Sequence, residues 1–275
     1  VKRAKTERGQ AQQAYLRAMR ERVAVVSREY QQREIADSAA RSLAAEPTGV
    51  SLVEFDPDAE AKVVADILYP HSDLPLAEVR ALAAALPAAE RLAILRAYVG
   101  ERGSRFHKPG RAFERPVYTF DILADLGAYR DLQRHRILTQ ERQHYTTRHG
   151  YVTPPELVAY DLAAPYAQAI ERASTLAEQI AAELPEPAQY AVPLACRVRW
   201  RISINLRAAY HLAELRSSPQ GHPAYRQVAQ AIYAHIRAVH PTLAEGMRFV
   251  DMGDYALERL DAERRLDAKL GAQPQ

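Results

Sequence analysis

The sequence predicts an α+β fold, helix-rich with a small central sheet, preceded by a long N-terminal helical segment. Three observations lead there. From about Thr6 to Ala45 there is no proline, and Ala, Arg, Gln and Glu dominate. Only a few short segments have the β-branched and aromatic character of strands. The rest is rich in alanine and leucine and is punctuated by Pro and Gly at helix-length intervals.

In chain order, the first stretch contains only Gly9 as a breaker, so it reads as one long helix or a helix pair, stopped by "EPTGV". Residues 1–47 are therefore an N-terminal helical extension or linker, and residues 48–275 are the domain proper. "VSLVEF" is a short strand. "DPDAEAKVVADILY" begins with a cap and a proline that the first turn of a helix tolerates. Pro75 and Pro87 separate two further helices, the second ending near Gly100 or Gly103. "RPVYTFDIL" is a strand with proline only at its start, and Asp125 caps a helix through "LGAYRDLQRHR". Residues 154–184 read as one long helix kinked at Pro165. "CRVRWRISI" alternates strictly, with Cys196, Val198, Trp200, Ile202 and Ile204 on one face and Arg197, Arg199, Arg201 and Ser203 on the other. "NLRAAYHLAELR" and "PAYRQVAQAIYAHIRAVH" complete the pattern as helices.

Composition excludes several classes. With 48% hydrophobic and 26% charged residues, the 275-residue chain is neither disordered nor fibrous. A net charge of +3 argues against general nucleic-acid binding but leaves room for a local anion site. Cys196 is the only cysteine, so no intrachain disulfide and no cysteine-held zinc can form. His107, His144, His149 and His222 are scattered and no HExxH occurs, so no metal site is expected. There is no apolar run of about 18 residues and no signal peptide, so a cytoplasmic protein without a membrane span is expected.

The charge is concentrated between Arg134 and Tyr151. There Arg134, Arg136, Arg142 and Arg148 face only Glu141, a pattern suited to an anionic ligand, although a basic helix end running into a loop has the same composition. His135 lies four residues from Asp131, the spacing of an oriented histidine or of a surface salt bridge. Arg207 and His211 share a helix face, and Arg216 ends that helix before "SSPQGH", a loop placed to close over a ligand. The arginines of the alternating strand have water or phosphate as partners, and no aromatic interleaving marks them for nucleic acid. No nucleophile elbow, P-loop or dinucleotide glycine fingerprint is present.

The order of these blocks resembles the flavin-dependent thymidylate synthases. "FERPVYTF", with Phe113-Glu114 and Tyr118-Thr119-Phe120, is similar to that family's strand, and Arg134-His135-Arg136 to the start of its signature. Asn205, Arg207 and Arg216 are similar to its arginine-bearing helix. The resemblance spans roughly Val50 to Asp251. It implies reductive methylation of dUMP by a homotetramer, with FAD as cofactor and NADPH and methylenetetrahydrofolate as co-substrates. It also implies FAD contacts from Arg134, His135, Arg136, Ile137, Asn205, Arg207, His211, Glu114 and His107. Arg216 matches the catalytic arginine that favours the N3-ionised uracil, and Asp131, Arg134, Thr146, Thr147, Arg148 and Gln189 fall at substrate-binding positions. Departures accompany the match. The family's serine meets His144 by direct count, or Thr146 if two residues are inserted, the register that also supplies Arg148. Asp131 stands for a Gln, Gln189 for an Arg and His211 for an Asn. An alternative reading is a non-catalytic flavin-binding homologue, a structural half beside a second homologous domain.

Overall fold

The computed structural model describes residues 6–38 and 49–255. The chain divides into two compact units, Val1–Ala44 and Ala45–Gln275. In the first, α1 (Glu7–Ser38) starts at Thr6, whose Oγ1 accepts a hydrogen bond from Gly9 N at 3.1 Å. The part of the expected helix between Ser38 and Ala45 lies outside the described residues.

The second unit is built on a four-stranded antiparallel sheet in the order β1-β2-β4-β3, with β1 at Gly49–Glu54, β2 at Val117–Asp125, β3 at Thr139–Arg142 and β4 at Arg197–Asn205. β2 and β4 pair without interruption from Val117 opposite Asn205 to Asp125 opposite Arg197. Directly opposed residues share a face, so the alternation written into each strand builds two distinct surfaces. Tyr118, Phe120, Ile122 and Ala124 join Val198, Trp200, Ile202 and Ile204 on the buried one. The other face is polar: Thr119 and Ser203 hydroxyls are 3.0 Å apart, and Arg199 donates to Asp121 at 2.6 Å.

α10 (Pro223–Val239) packs on β1 and β2, burying Val228, Ala229, Ile232 and Ile236 at helical spacing. α2 (Ala59–Leu68), α3 (Leu76–Ala85) and α4 (Ala88–Val99) form a flanking layer, and α4 ends at Gly100, whose φ of 61° an L side chain adopts only with strain. α5 (Leu126–Leu132) and α9 (Leu206–Arg216) leave opposite ends of the paired central strands. Each is capped by the last residue of its strand: Asp125 Oδ1 accepts from Ala128 N and Asn205 Oδ1 from Ala208 N, both at 2.8 Å. The strand-to-helix switches are therefore local features of the sequence.

Five expectations need correction. The helix after Asp125 stops at Leu132 instead of reaching Arg136, because residues 133–136 offer nothing apolar to bury. Leu138 then packs on the core, and "TQER" pairs along β4 as β3, a short charged edge strand that propensity does not reveal. The long helix of residues 154–184 is broken into α6 (Pro155–Ala159) and α7 (Ala163–Glu183) at Asp161, whose φ of 57° aspartate tolerates better than most residues, and the short α8 (Pro185–Ala188) follows α7. Pro165 produces no kink, since it lies in the first turn of α7, where its missing N–H has no intrahelical partner to lose. Pro57 lies in the turn before α2, and Asp56, not a helix-capping side chain, holds that turn by accepting from Asp58 N at 3.0 Å.

Candidate functional site

The loop from Gly100 to Gly110 is fastened to α9 by a buried ion pair. Arg102 donates to both carboxylate oxygens of Glu214, at 2.5 and 2.6 Å, to Gly246 O at 2.6 Å and to His107 O at 2.6 Å. Those side chains are 3% and 1% exposed, so the bidentate geometry compensates two desolvated charges. Sequence reasoning missed this pair. The available signal was a carboxylate four residues after Tyr210 on the stripe of α9 that is otherwise apolar.

This loop faces the first turn of α9. Arg207 Nε donates to Pro109 O at 2.7 Å and its Nη1 to Glu114 at 3.1 Å, while Arg111 reaches the other oxygen of Glu114 at 3.2 Å. Arg111, then Arg207, holds the Glu114 carboxyl below the ordinary carboxylate range. His107 is exposed, with Nδ1 accepting from Gly103 N at 3.2 Å. Asn205 commits its carbonyl oxygen to the helix cap.

The last turn of α9 meets the segment after α5. Arg216 Nε donates to His135 Nε2 at 3.1 Å, and the His135 ring lies 5.7 Å from that of His211, edge to face. On its other side, the Arg216 guanidinium lies 5.4 Å from the ring centroid of Tyr225. Burial, then the charge of Arg216 and the proximity of His211, pushes the His135 pKa down to about 4. His211 is lowered by burial and by Lys108, Arg105 and Arg216. Both imidazoles are neutral at pH 7, and His135, accepting at Nε2, carries its proton on Nδ1.

The loop after Arg216 is packed in place. Arg226, buried, donates to Ser217 O and Gly253 O, both at 2.9 Å, and Ser217 Oγ accepts from Asp251 N at 2.9 Å. A Cβ at Gly221 would stand 2.7 Å from the Tyr225 ring, so glycine there permits Tyr225 to lie against Arg216.

The remaining expected residues fall into other groups. Asp131 is 4.0 Å from Arg134, so the paired aspartate and histidine suggested by their spacing do not form; His135 turns to α9 instead. Gln189 Oε1 accepts from Arg142 and from Tyr145 N, both at 3.1 Å, and its amide donates to Glu186 at 3.2 Å. Arg142 stacks 3.8 Å above Tyr145, which in turn lies against Tyr129 of α5. His144 is 3.7 Å from Glu186. Thr146 and Thr147 are half-buried, Thr147 opening a turn closed by Gly150 N donating to its carbonyl at 3.1 Å, and Arg148 is exposed. Arg134 and Arg136 are exposed, as is Ile137 at 75%. No group of His, Cys, Asp or Glu suited to a metal occurs among the described residues. No described helix is long and apolar enough to cross a membrane.

The strand-helix order and the arginine-histidine cluster that it assembles lie within residues 51–242, the stretch matched by the family model described as thymidylate synthase complementing protein. The chain belongs to this family. Its members are the flavin-dependent thymidylate synthases that the sequence resembles. A UPF0159 protein of Chlamydia muridarum is 44% identical over 220 residues, covering 80% of this chain and 42% of that protein. A UPF0159 protein of Thermoplasma acidophilum is 38% identical over 229 residues, covering 81% and 45%. The chain thus spans less than half the length of these relatives. The fold is similar to that of a UMP/dUMP methylase from Streptomyces cacaoi solved with 5-Br dUMP, with a TM-score of 0.58 and 17% identity over 73% of this chain and 94% of that one. At that identity the likeness is one of fold.

Proposed function

We propose that this member of the thymidylate synthase complementing protein family supplies a site for reductive methylation of dUMP, with FAD as cofactor and NADPH and methylenetetrahydrofolate as co-substrates. The observation that carries the reading is Arg216, held at the end of α9 by a neutral His135 that packs on His211, a ring whose pKa Arg105 and Lys108 of the Gly100–Gly110 loop also lower. Such a group favours an anion, because a fixed guanidinium stabilises charge by hydrogen bonds that need no reorganisation. At a uracil ring it favours the N3-ionised form.

The residues present also fit a flavin nucleotide. Arg134 and Arg136 offer exposed cations for a pyrophosphate, and the exposed Ile137 between them and the core offers an apolar contact for a ring. Arg207, Asn205 and Glu114 stand at the opposite end of α9 as further contacts, and His107 and His211 border the loop between. When bound, the flavin supplies the hydride. The chain's own residues bind the two anions, exclude water behind the packed Arg216 loop and hold Arg216 against the pyrimidine.

For the substrate, the inserted register is the better supported. His144 is engaged by Glu186, whereas Thr146, Thr147 and Arg148 remain for a phosphate. Gln189 serves indirectly, presenting Arg142 where the family has an arginine of its own. Asp131 is compatible with a nucleotide because Arg134 offsets its charge. Assembly follows the family as a homo-oligomer. Calorimetric titration of the purified protein with dUMP and with FAD tests the proposal: saturable binding of both, with dUMP binding lost in Arg216→Ala, is expected. Binding of neither would refute it.

A further inference from the structure

A second layer of the Arg216 site has chemistry of its own. Arg216 Nε donates to His135 Nε2 at 3.1 Å, so this nitrogen must keep its lone pair, and the ring proton resides on Nδ1. Among the described residues, the two terminal nitrogens of Arg216 have no hydrogen-bond partner in the protein, which leaves the planar fork available to an anion. The other sides are closed by the Tyr225 ring at 5.4 Å and, behind His135, by the His211 ring at 5.7 Å. Buried Arg226 and Ser217 fix the backbone that follows.

We propose that His135 is a positioning residue for Arg216: its unprotonated Nε2 holds the guanidinium by Nε and leaves the terminal nitrogens to bind the anionic pyrimidine. The proposal rests on the reading that Arg216 contacts that ligand. A protonated His135 would turn a donor and a positive charge toward Arg216 and release it. The groups around the imidazole all oppose that proton. They are Arg216 and His211 from α9, and Arg105 and Lys108 from the loop, which act on His211. On its own segment, Asp131 is drawn to Arg134 instead. His211 therefore packs against His135 without offering a counter-charge that would favour its protonation, and the Arg216 N–H sets the accepting tautomer.

The test uses the full chain and its His135→Gln, His135→Leu and Arg216→Ala variants. Imidazole 15N spectra come first. In the wild type His135 should show an unprotonated Nε2 and a protonated Nδ1 at pH 7, and the Nε2 resonance should move in Arg216→Ala. A protonated Nε2, or one indifferent to Arg216→Ala, overturns the proposal. Binding of dUMP comes second. Glutamine places an acceptor near Nε2, so His135→Gln should bind within about threefold of wild type, whereas His135→Leu should lose roughly tenfold, the scale of one charge-assisted hydrogen bond. Equal affinity of the Leu and Gln variants, both with wild-type circular dichroism, overturns it as well. If the Leu variant does not fold, the spectra decide. If wild type itself does not bind dUMP while the spectra behave as expected, the assignment of function fails and the positioning of Arg216 stands.

Discussion

Replacing Glu214 by Gln should destabilise the protein more than any surface change in the site, and the reason can be worked from the geometry. Arg102 makes four hydrogen bonds of 2.5–2.6 Å, two of them to the Glu214 carboxylate, with both side chains almost fully buried. In Glu214→Gln the guanidinium remains buried beside a neutral amide that cannot accept at both positions. Breaking one side of a buried pair costs about 3–5 kcal/mol. For a domain of this size 1 kcal/mol corresponds to about 2–4 °C, so a fall in Tm of about 6–20 °C is expected. Removing both charges, as Arg102→Met with Glu214→Leu, should recover much of the loss, because neither partner is then left unpaired. Thermal melts with urea titrations read both effects. A Glu214→Gln shift under about 2 °C, or a double variant worse than the single, would refute the reasoning.

Other expectations follow from the same geometry. Asp125→Ala and Asn205→Ala should each cost about 0.5–2 kcal/mol in urea titrations, because each removes the side-chain acceptor at the start of a helix. Trp200→Ala, which empties the space under α5, should cost about 3–5 kcal/mol on the same measurement. The folded-state pKa of His135 is depressed to about 4, so the unfolded chain binds the extra proton; stability is full above the ordinary histidine pKa of about 6.5 and falls as pH drops toward 4. In His135→Gln the slope of stability against pH in that window should be smaller by up to one proton. Burial pushes the Cys196 thiol up to about 11, so alkylation at pH 8 should be slow in the native protein and fast in urea.

The sheet was legible where side chains decide it. The strict alternation from Cys196 to Ile204 and the β-branched run from Val117 predict the two central strands; both form, and the first buries the face expected of it. The cap Asp125 was equally readable, since capping is a local property. Edge strand β3 was not, because "TQER" joins the sheet through backbone pairing to β4 and carries no apolar pattern. The break at Asp161 was hidden because helical composition continues across it. In the site, Arg207 and Arg216 could be placed on one helix from spacing alone. Their partners could not: Glu114 and His135 lie 93 and 81 residues away in the chain, and only the fold brings them into contact. The spacing of Asp131 and His135 pointed to a local pair, but the ring accepts the Arg216 N–H and Asp131 lies beside Arg134.

The proposed action of Arg216 on the pyrimidine of dUMP is the step on which the assigned function rests. It is tested most directly by release of tritium from 5-tritiated dUMP, in the presence of FAD, NADPH and methylenetetrahydrofolate, by wild type and by an Arg216→Ala variant of wild-type circular dichroism. Release by the wild type and none above background by the variant is expected, since the guanidinium would stabilise charge that develops on the ring. Release by Arg216→Ala at the wild-type rate, or no release by a flavin-loaded wild type that binds dUMP, would contradict it.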